Sequence, residues 1–519
     1  MRLAPQIVAN VASQSYVVLL GIVLLPIYSH FLGSEAFGLI ALSLTLQAWF
    51  VIFDVGLAPT LTRAAATCRA SKMAPEELHD LLRSALWIYL AIAVATLLVT
   101  SAIAVEFSGA WLRHEQLAAV DLLQALLVMG IVILLRWLAE LLRSIQWGFE
   151  RTVWLSKFNV ALATLRFVLV VPLLAWTNAG IIGFFVLQLL IVLLECGLLA
   201  RETRLVMPPK PTTTRPGILH PIRNLRHFAL TMALATTTWV LVSQTDKLLL
   251  SGLMTLSEFG EFTLATTAAS AVLLATTPLS AVIVPRMTAL VAQNDREAFA
   301  RMYRYSTQWL GMLAWPVAAV LALHAERVLF AWTGDPMLAA AAKPVLQLYA
   351  LGNAALALST VAYAAQFARG ELKLHVVGSA VFLLLLLPLV TWGTLHYGSV
   401  GAGWAWLALN SAYLLFWLML THRMVGPYPY VRWLISDVLP LGFLAFATSA
   451  LGLLLPWPEQ RSWLIGQIGL LSLLTVAVTS LGSSWIREGF KSGWRHDALG
   501  GEPRGGFVAP RNSKGKRHG

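Results

Sequence analysis

Apolar residues in this chain come in long runs, without the strict alternation of a β-barrel. The runs last about 18 to 25 residues, enough for a helix to cross roughly 30 Å of hydrocarbon. They predict crossings near 8–29, 37–62, 84–106, 117–142, 154–176, 180–200, 228–252, 260–284, 305–328, 344–367, 374–394, 399–421, 436–456 and 463–485. The expected fold class is therefore an all-α polytopic membrane protein of about fourteen transmembrane helices. The first run follows a single basic residue, Arg2, and has no small-residue cleavage site behind a short apolar core, so it reads as a retained helix.

Composition agrees with the pattern: 58% of residues are hydrophobic and 12% charged, and mean hydropathy is +0.73. A soluble chain would carry about twice that share of charge. The net charge of +12 would point to nucleic acid in a soluble protein, but its distribution gives another reason for it. With a cytoplasmic N-terminus, roughly 30 of the Lys and Arg fall inside. Arg113, Arg327, Lys343 and Arg461 fall outside, and Arg136, Arg166 and Lys247 lie within the membrane. Topology and anionic inner-leaflet lipid account for the charge, and no nucleic-acid partner is needed.

Two cysteines, Cys68 and Cys196, suggest neither a disulfide nor a metal site. No phosphate-binding loop, H-E-x-x-H pair or Cys/His cluster occurs, so no cofactor is expected. Outside loops are short, which leaves no room for a catalytic domain there.

The organisation is bipartite. Residues 1–200 form an N-terminal six-helix lobe and 201–227 a basic, Pro-rich cytoplasmic linker. Residues 228–421 form a second six-helix lobe, 422–486 two additional crossings, and 487–519 a disordered basic tail. The lobes resemble each other. HFLGSEAFGLIAL from His30 aligns with GLMTLSEFGEFTL from Gly252, which superimposes Phe37 and Gly38 on Phe259 and Gly260. AGIIGF from Ala179 aligns with YGSVGAG from Tyr397, pairing Gly180 with Gly398 and Gly183 with Gly401; more weakly, Lys157 falls on Lys373. All three matches keep order at an offset of about 220, as a duplicated unit would. Six is an even number, so the two copies are parallel repeats about an axis along the membrane normal, with substrate expected between them.

PIYSHFLGSEAFGLIAL, FDVGLAPTLTR, TDKLLLSGLMTLSEFGEFTLA and PLSAVIVPRMTAL resemble the polysaccharide repeat-unit flippases, the Wzx-like branch of the MOP exporter superfamily. The resemblance implies a two-lobed inner-membrane protein that moves undecaprenyl-pyrophosphate-linked oligosaccharide, such as an O-antigen or exopolysaccharide unit, from the inner to the outer leaflet. Its partners would be the lipid-linked oligosaccharide, membrane lipid and other polysaccharide assembly proteins. The related lipid II flippases carry cavity arginines that include ones on the first helix. Here that helix offers Asn10, Ser13 and Gln14, and no Arg beyond Arg2.

Charges in hydrocarbon cost about 2.5–3.5 kcal/mol each on insertion scales, so each one needs a partner, water or a route to the interface. Arg166 lies about 14 Å from Lys157 at the inner edge, near the bilayer centre. It is a candidate to contact a pyrophosphate or sugar, or else a structural ion pair. Asp54, equally deep, is a candidate partner for Arg166 or a site for a coupling cation. Arg136 and Glu140, four apart on one face, read as a local pair or as the rim of the cytoplasmic entrance. Glu195 reads as interfacial, and Asp121 and Asp437 as helix ends. Asn10 and Gln14 on the first helix, and Thr236, Ser243 and Lys247 on the seventh, follow polar stripes. Those stripes could line a cavity or bond helix to helix. Lys247 would face an anionic substrate or snorkel outward, and Asp246 a cation or a basic partner in the opposite lobe. Trp111, Trp332, Trp457 and Trp463 read as interface anchors. The leading expectation is a non-enzymatic flippase working by alternating access. Its rivals are a cation-coupled exporter of small amphiphiles and a membrane polysaccharide ligase or polymerase.

Overall fold

The computed structural model describes residues 3–492 apart from residue 55, residues 111–116, residue 178 and residues 210–219. Trp111, Arg113, the centre of the expected linker and the tail from residue 493 onward lie outside the described residues. Among those described there are helices and no strands. The first half comprises α1 (Leu3–Leu32), α2 (Ser34–Phe50), α3 (Leu57–Arg69), α4 (Pro75–Ala110), α5 (Ala119–Gly148), α6 (Thr152–Val168), α7 (Val170–Trp176) and α8 (Gly180–Val206). The second half has α9 (His220–Leu253), α10 (Leu256–Ala269), α11 (Ala271–Ala292), α12 (Arg296–Leu323), α13 (Ala325–Thr333), α14 (Pro336–Arg369), α15 (Lys373–Ala412) and α16 (Leu418–Val425). After it come α17 (Tyr430–Trp433), α18 (Leu439–Leu451), α19 (Arg461–Leu481) and α20 (Ser484–Ser492). Twelve described segments are long and apolar enough to cross a membrane. One of them, Lys373–Met424, is 52 residues long and turns back at Gly398, where φ is +60° and ψ −146°. Division there, together with the 34-residue α9, gives fourteen helices of crossing length. Helix α8 runs on to Val206 and α9 starts at His220, so both ends of the segment expected as linker are helical.

The repeat is written into the backbone. Left-handed residues recur in the same order in both halves: Ser71 with Asn294, Glu150 with Gly370, and Gly180 with Gly398. The first two pairs follow helix ends at equivalent turns, and the third, which opens α8 and breaks α15, is glycine in both copies because an L side chain is strained at positive φ. The hairpin at Gly398 is tight enough that a Cβ on Gly401 would stand 1.9 Å from the Gly393 carbonyl oxygen. Gly398→Ala is expected to cost about 2 kcal/mol, since that region of φ and ψ is open essentially to glycine alone. Unfolding in detergent micelles would measure this loss.

The basic ends of the helices define one face of the molecule, and the halves are joined by a seam near the opposite face. There α2 packs along α10. A Cβ on Gly38 would lie 2.0 Å from the Leu256 carbonyl oxygen, and one on Gly260 would lie 3.1 Å from that of Ser34. Gly38 and Gly260 are repeat mates, as are Ser34 and Leu256, so the contact is two-fold symmetric. Phe37, Leu39, Phe259 and Phe262 are buried in the same cluster. The capping box between Thr255 and Glu258 fixes where α10 begins. The Trp332 indole N–H donates to the Ile22 carbonyl at 3.0 Å and ties α13 to α1.

The extra helices are bound to the second half at both ends. Near the basic face, Asp437 sits inside a π-helical turn, Leu434–Val438. It accepts from Arg304 Nε at 2.9 Å, Gln308 Nε2 at 2.7 Å and the Tyr428 hydroxyl at 3.0 Å. The Gln308 carbonyl accepts in turn from the Ser483 hydroxyl at 2.7 Å. Near the other face, His324 Nε2 and the Ser449 carbonyl stand 2.9 Å apart. Asp437 was expected at a helix end. It is interior because the helical run starts at Tyr430, several residues before the predicted crossing.

Candidate charged site in the first half

Four helices of the first half bring their deep polar residues together. Glu195 of α8 is 2% exposed and uses both oxygens on arginines of two other helices. Its Oε2 accepts from Arg166 of α6 at 2.7 Å, and its Oε1 accepts from Arg143 of α5. Arg143 also donates to the Asn159 side chain. Its Nε stands 3.4 Å from Glu140. One turn further along α5, Arg136 donates to Gln47 of α2 at 2.5 Å and to Gln188 of α8 at 2.6 Å. The Gln188 amide also donates to the Arg166 carbonyl at 3.1 Å. The apolar frame around these groups holds them in place: Ala139, Leu142 and Leu199 are buried between α5 and α8.

Two features set this cluster apart from a closed salt-bridge network. Three guanidinium groups face two carboxylates; the Nε of Arg136 and of Arg166 is buried without an acceptor, and that of Arg143 has only the long contact to Glu140. Guanidinium donors outnumber the protein's acceptors here, which is unfavourable unless something supplies oxygens. The second feature is that the Glu140 side chain is 64% exposed although it lies eight residues, about 12 Å, from the basic end of α5. A carboxylate open at that depth needs water rather than lipid in front of it. The cluster thus has one wet side.

Several expected pairings are replaced by others. Arg166 pairs with Glu195 rather than with Asp54, whose Oδ1 instead accepts from the Ala58 amide at 3.0 Å and from the Tyr89 hydroxyl. Asp54 closes a 3₁₀ turn, Val51–Asp54, where α2 is interrupted before α3, and the freed backbone at the start of α3 claims its carboxylate. Arg136 meets two glutamines rather than Glu140, which turns to Arg143 three residues on. Glu195, expected near the interface, is central because α8 extends a further turn and a half past Ala200. Asp246 is buried and accepts from Tyr349 of α14 at 2.8 Å, so its partner is in its own half and is not a base from the other. The Tyr349 ring stacks on Trp406 at 5.5 Å, which fixes that hydroxyl.

Lys247 Nζ is 3.4 Å from the Gln244 side-chain oxygen. The Gln244 carbonyl accepts from the Trp49 indole of α2 at 3.3 Å, so Lys247 stands one turn along α9 from a contact between the halves. Ser243 and Thr236 are half-buried on the same helix. On α1, the exposed Gln14 donates to Asn10 at 3.2 Å, while Ser13 turns away to the Ser156 carbonyl of α6. The structure joins Arg136, Glu140 and Arg166 in one cluster. Asp54 lies within electrostatic reach of Glu140, and Lys247, Asp246 and the stripe on α1 are elsewhere.

Residues 3–291 match the family described as polysaccharide biosynthesis protein. No curated protein matches the sequence. Among solved structures, the lipid II flippase MurJ in an inward closed conformation is similar, with a TM-score of 0.70 at 15% identity over 94% of this chain and 99% of that one. An inward-facing multidrug resistance MATE transporter of the MOP superfamily gives 0.56 at 17% identity, covering 80% and 98%. A MATE transporter from Vibrio cholerae gives 0.55 at 15%, covering 82% and 98%. At these identities the likeness concerns the fold, a multi-pass membrane architecture built from two six-helix bundles. With more than half of its length matched by the family, the chain belongs to the polysaccharide biosynthesis protein family.

Proposed function

We propose that the chain flips lipid-linked oligosaccharide repeat units, carried on undecaprenyl pyrophosphate, from the inner to the outer leaflet of the bacterial cytoplasmic membrane. In this reading the basic face and both termini are cytoplasmic. The observation that carries it is the acceptor-poor arginine cluster with one wet side, deep in a transporter fold of a polysaccharide family. Phosphate oxygens are the acceptors such a cluster lacks, and guanidinium groups bind them in pairs. The glycan would occupy the water-filled space between the bundles, with the isoprenoid tail left in lipid. The seam between α2 and α10 would part to release it on the outer side.

Arg136 is the group expected to matter most. Among the described residues it has no carboxylate within ion-pair distance, and two neutral amides hold it in place. Arg136→Gln should abolish surface polysaccharide while the protein still inserts, and lipid-linked oligosaccharide should accumulate on the cytoplasmic side. Full surface polysaccharide in this variant would remove Arg136 from the site. A second reading, a cation-coupled exporter, is favoured by one observation, the carboxylate of Asp54 at an interrupted helix. The two readings are compatible if the coupled ion drives the flip.

A further inference from the structure

We infer that Glu195 is a built-in stand-in for the substrate's phosphate, holding Arg143 and Arg166 in the empty transporter and competing with the arriving head group for them. This rests on the reading above and adds what sets affinity and release. Glu195 offers two oxygens to two guanidinium groups from two helices while itself on a third, which is how one phosphate group would bridge them. It is almost wholly buried, so its charge is not spent on water. With it in place, three arginines against Glu140 and Glu195 leave the cluster with one net positive charge. A diphosphate brings at least two negative charges and is therefore under-supplied with positive countercharge until Glu195 gives up its contacts. The buried Nε–H groups of Arg136 and Arg166 have no acceptor, so the cluster holds donor capacity that its own oxygens leave unused and that a rearrangement around the head group would put to use. The head group can begin at Arg136, which no carboxylate holds, and then trade places with Glu195 at the other two. Reversal of the trade ejects it. A site that binds too tightly in both states cannot release, and an internal carboxylate is a direct way to keep binding modest.

The test is binding of inorganic pyrophosphate to the purified full chain in detergent, by calorimetry. Glu195→Gln, which keeps side-chain shape and loses charge, should bind about ten-fold tighter or more than the parent, since charged hydrogen bonds of this kind are worth 1.5–3 kcal/mol. In cells the same variant should export more slowly. Equal or weaker binding by a variant that unfolds at the parent's temperature overturns the inference. Should Glu195→Gln not fold, the charge-balanced pair Arg166→Gln with Glu195→Gln is compared with Arg166→Gln alone. Tighter binding by the double variant supports the inference, and equal or weaker binding overturns it. Arg136→Gln separates the two proposals. If it weakens pyrophosphate binding while loss of the Glu195 charge does not tighten it, only the role of Glu195 falls. If Arg136→Gln leaves binding unchanged, the site itself is misplaced.

Discussion

Gly38→Leu is expected to abolish export in a protein that still reaches the membrane. The reason is local geometry at the seam. Even the first carbon of a side chain at position 38 would stand 2.0 Å from a backbone oxygen of α10. No rotamer change relieves a clash with backbone, so α2 and α10 must move apart. Their separation would admit water to Phe37, Phe259 and Phe262, which the closed seam buries. Because alternating access needs the seam shut while the cytoplasmic side is open, a wedge here holds the protein in one state. Gly260→Ala should be milder, since its new carbon would meet Ser34 oxygen at 3.1 Å, a distance that a few tenths of an ångström of give would relieve. The readout is a cysteine in place of Phe259, with Cys68 and Cys196 changed to serine. A membrane-impermeant maleimide added outside should label it in the Gly38→Leu background and not in the parent. Full export by Gly38→Leu, with the reporter protected, would show that the seam is not a gate.

The second large effect concerns stability. Asp437→Ala should destabilise the protein by about 3 kcal/mol, the range found when one member of a buried charged network is removed. Arg304 is 38% exposed and can turn to water, so little of the cost comes from that ion pair. Most comes from Gln308 and Tyr428, whose donors would lose this acceptor. Asp437→Asn keeps an acceptor and should lose about half as much. Unfolding in detergent measures both. The same contacts tie α17 to α19 to α12, so these added helices should move as part of the second bundle.

The repeat was legible in the sequence because its marks are glycines with a physical duty. Gly38 and Gly260 permit backbone approach, and Gly180 and Gly398 permit a left-handed turn. Such positions leave little choice of residue, so the copies still align. The depth of single charges was legible for Arg136 and Arg166, where apolar residues run far on either side. It failed for Glu195 and Asp437, because helices here extend past the apolar run by one to two turns and the run alone marks only the hydrocarbon. Partners were the least legible. Which carboxylate meets Arg166 depends on how α5, α6 and α8 rotate against one another, and spacing along one helix carries no information on that. Arg143 falls just past the predicted end of the fourth crossing, so its place in the cluster was not legible either.

Transfer of a lipid-linked oligosaccharide across the bilayer of reconstituted vesicles tests the central claim most directly. Undecaprenyl-pyrophosphate-linked glycan is placed in both leaflets, and the fraction open to a glycosidase added outside is followed with time. The protein should make the whole pool accessible within the experiment, and Arg136→Gln and Gly38→Leu should leave about half protected, as in protein-free vesicles. Protection of half the pool in the presence of the native protein, or full access through both variants, would contradict it.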